Sequence, residues 1–236
     1  RSNTLFNLEV TMWNETKKTN IFNVKQMDIN NNILVVNQGW SRVIIIELDT
    51  FIAKILNVSL TSIATIKCDS NFSVCYADHS NCIYKIDVPT LNITCVYAYS
   101  DYRVMDFIVI FSEYLLMSIE FNKTKKRRII RLSLSATWGE ERIIAGSAED
   151  NLKNGVLATN SSVFPYNLQM DTKNKILYFW NLENSSIRAI NMETGIVTQV
   201  ISDRMDYFAV DTENSIVYYS SGNAIQMGIV SCSYGF

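Results

Sequence analysis

The 236 residues are enough for one large all-β domain or two smaller ones, and 48% hydrophobic against 19% charged residues allows a packed core and excludes wholesale disorder. Lys and Arg number 21 against 23 Asp and Glu, a formal charge of −2, so the chain has no bulk attraction for nucleic acid. No apolar run approaches the ~20 residues that span a bilayer. RSNTLF at the start lacks the apolar core of a signal peptide, so the sequence is expected to be a mature or excised piece with any membrane anchor outside it.

Glycine (8) and proline (2) are scarce, and Val, Ile, Thr, Tyr and Phe come in short runs bounded by Asn, Asp, Ser and Lys, the pattern of many short strands. In chain order, residues 4–24 supply two strand-like stretches, LEVTMW and TNIFNV, with no opening aspartate turn. Residues 27–56 and 67–97 then form a repeat that returns at 170–200 and, truncated, at 210–230. Each copy opens on an aspartate, Asp28, Asp69, Asp171 or Asp211, with Asn31, Asn71, Asn174 or Asn214 shortly after. A strand is predicted to start five residues past the aspartate, at Ile33, Val74, Ile176 and Ile216, and a second near Val43, Ile83, Ile187 and Ile225. In the middle, Val104–Met105–Asp106 resembles Gln169–Met170–Asp171 and is expected to open a third repeat. Phe107–Ile119 reads as two buried strands interrupted at Glu113, and the basic run Lys123–Arg131 as a solvated turn between strands, with a heparin-like or protein contact as the alternative. The 65 residues between Asp106 and Asp171 are enough for the rest of that repeat and one more degenerate copy, whose strands are expected at Ile129–Leu134, Arg142–Ala145 and Val156–Thr159.

Asp and Asn side chains bond their own backbone in tight turns and tolerate left-handed conformations, so they punctuate an antiparallel meander. The aspartates lie 41 residues apart (28 to 69) and 40 apart (171 to 211). A unit of about 40 residues with up to four strands is one propeller blade, which cannot bury both faces alone and must stack on its neighbours. The expected fold is therefore all-β, a single six-bladed β-propeller domain over residues 1–236, with the N- and C-terminal strands sharing one blade to close the ring and hide both sheet edges.

Within the third full copy, Tyr178–Phe179–Trp180–Asn181 is followed by Ile187–Arg188–Ala189 and Met192–Glu193–Thr194–Gly195. This run resembles the YWTD repeat of the low-density-lipoprotein-receptor class B propellers. The counterparts are Val35–Val36–Asn37–Gln38, Cys75–Tyr76–Ala77–Asp78 and Tyr218–Tyr219–Ser220–Ser221; only Asp78 keeps the final aspartate, and no copy keeps the full tetrad. The resemblance covers about half the chain. It implies a six-bladed ring of the kind found in receptor ectodomains and matrix proteins, which use a face of the disc for protein ligands. A weaker architectural similarity, without a motif match, is to the secreted yellow/royal-jelly propellers, some of which hold small ligands in the central channel.

Cys68, Cys75, Cys82 and Cys95 fall within 28 residues, with spacings that do not fit the paired C-x2-C of zinc sites. Of the three possible pairings, 68–75 and 82–95 would staple one blade locally; Cys232 is left odd, and either it pairs with a segment or chain beyond this sequence or one of the four is free. Asn14, Asn57, Asn71, Asn92, Asn122, Asn160 and Asn184 each begin an N-x-S/T triplet, mostly at turns or strand ends where a glycan can be solvated. Clustered cysteines and glycosylation triplets together place the chain in the secretory pathway, as a secreted protein or an ectodomain.

Catalytic signatures are absent: there is one histidine, His79, and no HExxH, GxSxG elbow, P-loop or GxGxxG. No cofactor or metal is expected, and the chain reads as a non-enzyme that binds a protein partner. The alternatives are a small-molecule-binding propeller or a calcium-dependent propeller hydrolase using its repeated aspartates, each of which the turns already explain. In a blade meander the loops between second and third strands share a rim with those between blades. That rim should carry Trp40, Asp78, His79, Tyr102, Arg103, Tyr166 and Arg204, a Trp, Tyr and Arg composition typical of binding hot spots. The loop of Asn184 lies on the same rim, where a glycan would shield part of it.

Overall fold

The computed structural model describes residues 6–12, 15–21, 26–30, 33–37, 42–47, 52–57, 63–69, 73–90, 92–134, 140–147, 151–202, 207–211, 216–221 and 224–229, with backbone alone before residue 58, at 207 and after 220. The chain divides into two compact units, Arg1–Ser100 with Val109–Glu113, and Asp101–Ile108 with Tyr114–Phe236.

In the first unit, β1 (Phe6–Met12), β2 (Glu15–Ile21), β3 (Gln26–Asn30), β4 (Ile33–Asn37), β5 (Arg42–Glu47) and β6 (Ile52–Asn57) form one sheet in the order β2-β1-β6-β5-β4-β3. Strands β3 to β6 are the antiparallel meander expected of the first repeat, and β4 begins at Ile33 as predicted. The second sheet is β7 (Thr65–Cys68), β8 (Val74–His79), β9 (Cys82–Asp87) and β10 (Ile93–Ala98), again a plain meander. Asp69 makes its opening turn: Oδ1 accepts the backbone N–H groups of Ser73 (2.9 Å) and Val74 (3.3 Å), and Oδ2 the Ser73 hydroxyl (2.7 Å). The β8–β9 hairpin turns on Ser80 and Asn81, both at positive φ (47° and 62°), as a two-residue turn matched to strand twist requires. One face of this sheet packs Ile63, Ile66, Cys75, Ala77 and Ile86.

Both expected disulfides are present. Cys68 and Cys75 stand directly opposite on β7 and β8, and Cys82 joins Cys95 between β9 and β10 across a bulge. Cys232 lies outside the described residues.

In the second unit, β11 (Tyr102–Ile110), β12 (Tyr114–Phe121), β13 (Arg127–Ser133) and β14 (Glu141–Ala145) form the third sheet. The fourth orders β15 (Val156–Leu157), β16 (Pro165–Asp171), β17 (Ile176–Asn181), β18 (Ser186–Asn191) and β19 (Ile196–Ile201) as β15-β19-β18-β17-β16; the fifth is β20 (Tyr207–Asp211), β21 (Ile216–Ser221) and β22 (Ala224–Ile229). Neighbouring sheets are stitched through the first two strands of the third sheet and the first strands of the fourth and fifth. The carboxylate of Asp106 accepts the N–H of Leu168 (2.8 Å), and the Ser118 hydroxyl donates to the Pro165 carbonyl (2.6 Å). Gln169 donates to the Phe208 carbonyl (2.7 Å) and accepts the N–H of Val210 (2.8 Å). Phe208 and Val217 complete an apolar layer with Ile176, Tyr178, Ile187 and Ala189.

Three expectations differ from what is observed. The middle of the chain holds one four-stranded sheet rather than most of two. Arg142–Ala145 hydrogen-bonds to β13, and Val156–Thr159 yields only the two-residue β15, which adds to the edge strand β19 before a 3-10 turn at Ala158–Asn160. Asp106 does not cap a turn: β11 runs on to Ile110, so its carboxylate sits mid-strand and serves the neighbouring sheet. Finally, β1 pairs with β2 and, in parallel over Thr11↔Ile52 and Met12↔Ala53, with β6, while β20–β22 form their own sheet; the described residues show no blade shared by the two ends.

Asp171 repeats the turn made by Asp69. Its Oδ1 accepts the Asn174 N–H (2.9 Å) and its Oδ2 the Asn174 side-chain amide (2.7 Å), and it is buried. Asp171→Ala is expected to cost about 1 kcal/mol of stability, measured by denaturant unfolding, because it removes the two hydrogen bonds that close the turn.

Candidate ligand-binding rim

Two of the seven rim residues, Trp40 and Arg204, lie outside the described residues. Asp78 and His79 end β8 in the first unit. Asp78 is buried and accepts a hydrogen bond from the Tyr99 hydroxyl. His79 is half-buried, with its Nε2 2.8 Å from the Ser80 hydroxyl and its ring 6.0 Å from that of Tyr84. Burial pushes the Asp78 carboxyl up, opposed by the Tyr99 hydrogen bond and the His79 charge, and burial together with Asp78 raises the Tyr99 phenol.

Tyr102, Arg103 and Tyr166 are brought to one end of the third and fourth sheets in the second unit. They begin β11 and β16, which the Asp106–Leu168 bond links, and the Arg127–Phe164 contact brings the same end of the two sheets together. The same end receives the turn between β12 and β13 and the turn between β17 and β18, since Glu120 pairs with Arg127 and Asn181 with Ser186. Tyr102 is buried, its ring edge-on to Phe121 at 6.0 Å. Arg103 keeps 58% of its side chain exposed and pairs through Nη2 with Glu120 Oε1 (2.9 Å). Glu120 is only 7% exposed, and its other oxygen takes both Nε and Nη2 of Arg127 (2.8 Å each). The Arg127 guanidinium lies 5.3 Å from the Phe164 ring centre, and that of Arg128 5.1 Å from Phe121. Tyr166 stands edge-on to Trp180 at 6.3 Å, both half-buried, with Leu182 exposed beyond them.

Sequence reasoning missed Glu120, Arg127, Phe164 and Trp180 as parts of this end. Glu120 closes the apolar run LLMSIE, and a carboxylate on a strand about to be buried, just ahead of a basic stretch, was the available signal. The basic run itself divides. Lys123 and Lys125 are exposed in the turn, whereas Arg127 and Arg128 are drawn back onto Glu120 and Phe121.

Burial alone would raise the Glu120 carboxyl, but Arg127 and Arg103 outweigh it and hold it below its usual 4.5. A carboxylate depressed in the folded state adds stability above pH 4.5 that disappears as pH falls through the folded value; the raised carboxyl of Asp78 works in the opposite sense, losing its contribution as pH climbs from 3.8 through its folded value. Glu120→Gln should therefore flatten the acid limb of the urea midpoint against pH, and Asp78→Asn should steepen it. An unchanged acid limb in Glu120→Gln would contradict the pairing.

Four of the glycosylation triplets fall on described side chains, and Asn92, Asn122, Asn160 and Asn184 are all exposed. Among the described residues no helix is long and apolar enough to cross a membrane.

No protein-family model matches the sequence, and no curated protein matches it closely enough to count as a relative. The fold has clear counterparts among solved structures. A chain of a nidogen/laminin complex superimposes with a TM-score of 0.62 at 12% identity, over 84% of this chain and 72% of that one. An auxiliary nutrient-binding protein of Bacteroides thetaiotaomicron gives 0.62 at 13% identity, over 83% and 56%. The Swd1 β-propeller domain of Myceliophteria thermophila gives 0.59 at 8% identity, over 88% and 65%. The chain thus spans less than two thirds of the latter two. At such identities the likeness concerns fold alone, and the fold is that of β-propellers built from antiparallel, blade-sized sheets.

Proposed function

We propose that this chain is the ligand-binding propeller of an extracellular glycoprotein, and that it engages a protein partner at the end of the sheets where Tyr102, Arg103 and Tyr166 gather. The observation that carries the reading is Arg103: a largely exposed guanidinium held in place by a buried carboxylate, at an end of the sheets that also carries Tyr166, has the make-up of a binding hot spot. Two disulfides and four exposed glycosylation acceptors support an oxidising, extracellular setting. Among the fold counterparts, one comes from a nidogen/laminin complex and another is a nutrient-binding protein, so the architecture serves binding elsewhere.

The same reading takes the 236 residues as one disc of six blades, a binding domain and not an enzyme. Five sheets are its blades, and the β1–β2 hairpin, joined to β6 by two residue pairs, begins the sixth. The test is retention of the secreted chain on the matrix laid down by cultured cells. Arg103→Ala should weaken retention about 30-fold, the effect of losing one hot spot of roughly 2 kcal/mol, while the melting temperature stays within a few degrees. Undiminished retention by the variant would remove this end of the sheets as the binding face.

A further inference from the structure

The end of the sheets described above has a charge opposite to that of the chain. The whole sequence carries −2, yet Arg103, Lys123, Lys125, Lys126, Arg127 and Arg128 collect here against Asp101, Glu120, Glu183 and Glu141, whose carboxylate accepts the Tyr102 hydroxyl. The cations are not equivalent. Arg127 is only 11% exposed and committed to Glu120, and Arg128 covers Phe121, so both serve to hold the framework. Arg103 shares a single oxygen of Glu120 through one nitrogen, and more than half of its side chain faces solvent. A guanidinium fixed at one edge and open at the other is preorganised to receive a carboxylate, whose two oxygens match its fork.

We infer that this end takes an extended acidic peptide segment of a partner protein, with an Asp or Glu carboxylate on Arg103 and an apolar side chain elsewhere along the segment against the Tyr166–Trp180 pair. This rests on the binding reading above and names the class of ligand for the same site. A peptide fits better than a sulfated polysaccharide because Arg127 and Arg128 are withdrawn from the surface, whereas the half-buried aromatic pair offers an apolar contact that a polysulfate would not use. Asn122 and Asn184 are exposed glycan acceptors in the β12–β13 and β17–β18 turns at this same end, so sugars there would narrow the surface open to a partner.

The experiment measures binding of fluorescent synthetic decapeptides to the full glycosylated chain at 50 mM and 500 mM salt. One peptide alternates Asp with Gly around a central Leu, its control carries Lys for Asp, and a heparin octasaccharide is the third probe. The acidic peptide should bind, weaken at least tenfold in Arg103→Ala and weaken again at high salt, with the Lys peptide silent. A Trp180→Phe variant should lose the tryptophan fluorescence change that accompanies binding. Absence of acidic-peptide binding at millimolar peptide, or equal binding of the Lys peptide, overturns the inference. Binding of the octasaccharide that ignores Arg103→Ala but falls in Lys123→Ala with Lys125→Ala overturns it in favour of a polysaccharide on the basic turn. Matrix retention that depends on Arg103 while the acidic peptide fails to bind would leave the proposed binding face standing and dismiss only the ligand class.

Discussion

Replacing Arg188 with methionine is expected to lower stability by about 3 kcal/mol, a fall of roughly 6–12 °C in melting temperature for a chain of this size. Arg188 sits on β18 with no exposed surface at all. Its guanidinium is met by neutral acceptors instead of a carboxylate. Nη1 donates to the Ser162 carbonyl (3.1 Å), and Nη2 donates to the Lys153 carbonyl, the Asn154 side chain (3.1 Å) and the Ser161 hydroxyl (3.3 Å). All four belong to the connection between β14 and β16, so this one side chain fastens that connection to the fourth sheet. Burial pulls the guanidinium down to about 10, partly offset by Glu183, which still leaves it fully charged at neutral pH. Methionine would fill much of the volume but would leave the carbonyls of Lys153 and Ser162 to share the single proton of the Ser161 hydroxyl (2.9 and 3.2 Å). Lysine should not rescue, because a compact ammonium cannot reach acceptors arranged around a planar fork. Thermal melts give the magnitude, and hydrogen exchange over residues 151–162 gives the location. A loss under 1 kcal/mol, or exchange unchanged there, would show that the connection is held by other means.

Removing both disulfides should be comparably costly. Their loops close only 7 and 13 residues of sequence separation, for which the chain-entropy model gives about 2–3 kcal/mol each and about 5 kcal/mol together. Both lie in one four-stranded sheet, so the loss is concentrated. Substituting Cys68, Cys75, Cys82 and Cys95 with alanine should make the first unit melt before the second, splitting the calorimetric transition. Alanine is the proper replacement because Cys75 and Cys82 are buried, where a serine hydroxyl would bring its own penalty. A single transition at the original temperature would mean that the sheet is held by its packing alone.

Much of this fold is legible because the repeat writes its own turns. Asp69 and Asp171 bond the backbone and side chains that follow them, and the strands after the four repeated aspartates begin at Ile33, Val74, Ile176 and Ile216, where the spacing places them. Cysteine spacing anticipated both bridges because residues facing each other across a tight turn are close in sequence as well as in space. The candidate rim was legible only in part. Tyr102, Arg103 and Tyr166 come together since each begins or nearly begins the first strand of its sheet, a position that strand counting can assign. Glu120 and Arg127 escaped because their importance lies in a pairing across a hairpin with a third residue from β11, and Phe164 because its partner Arg127 is in another sheet.

By itself the sequence determined the local content: short strands, aspartate-led turns, the all-β class and the stapled second sheet. These depend on side chains acting on their own backbone within a few residues. Tertiary structure alone decided which strands share a sheet. The edge of β19 offered β15 unpaired backbone groups that a two-residue strand could satisfy, and the parallel contact of β1 with β6 has no counterpart in local pattern. It also decided what the mid-strand Asp106 does, because a carboxylate that finds a buried N–H on the neighbouring sheet is bound there more favourably than any turn it could have capped.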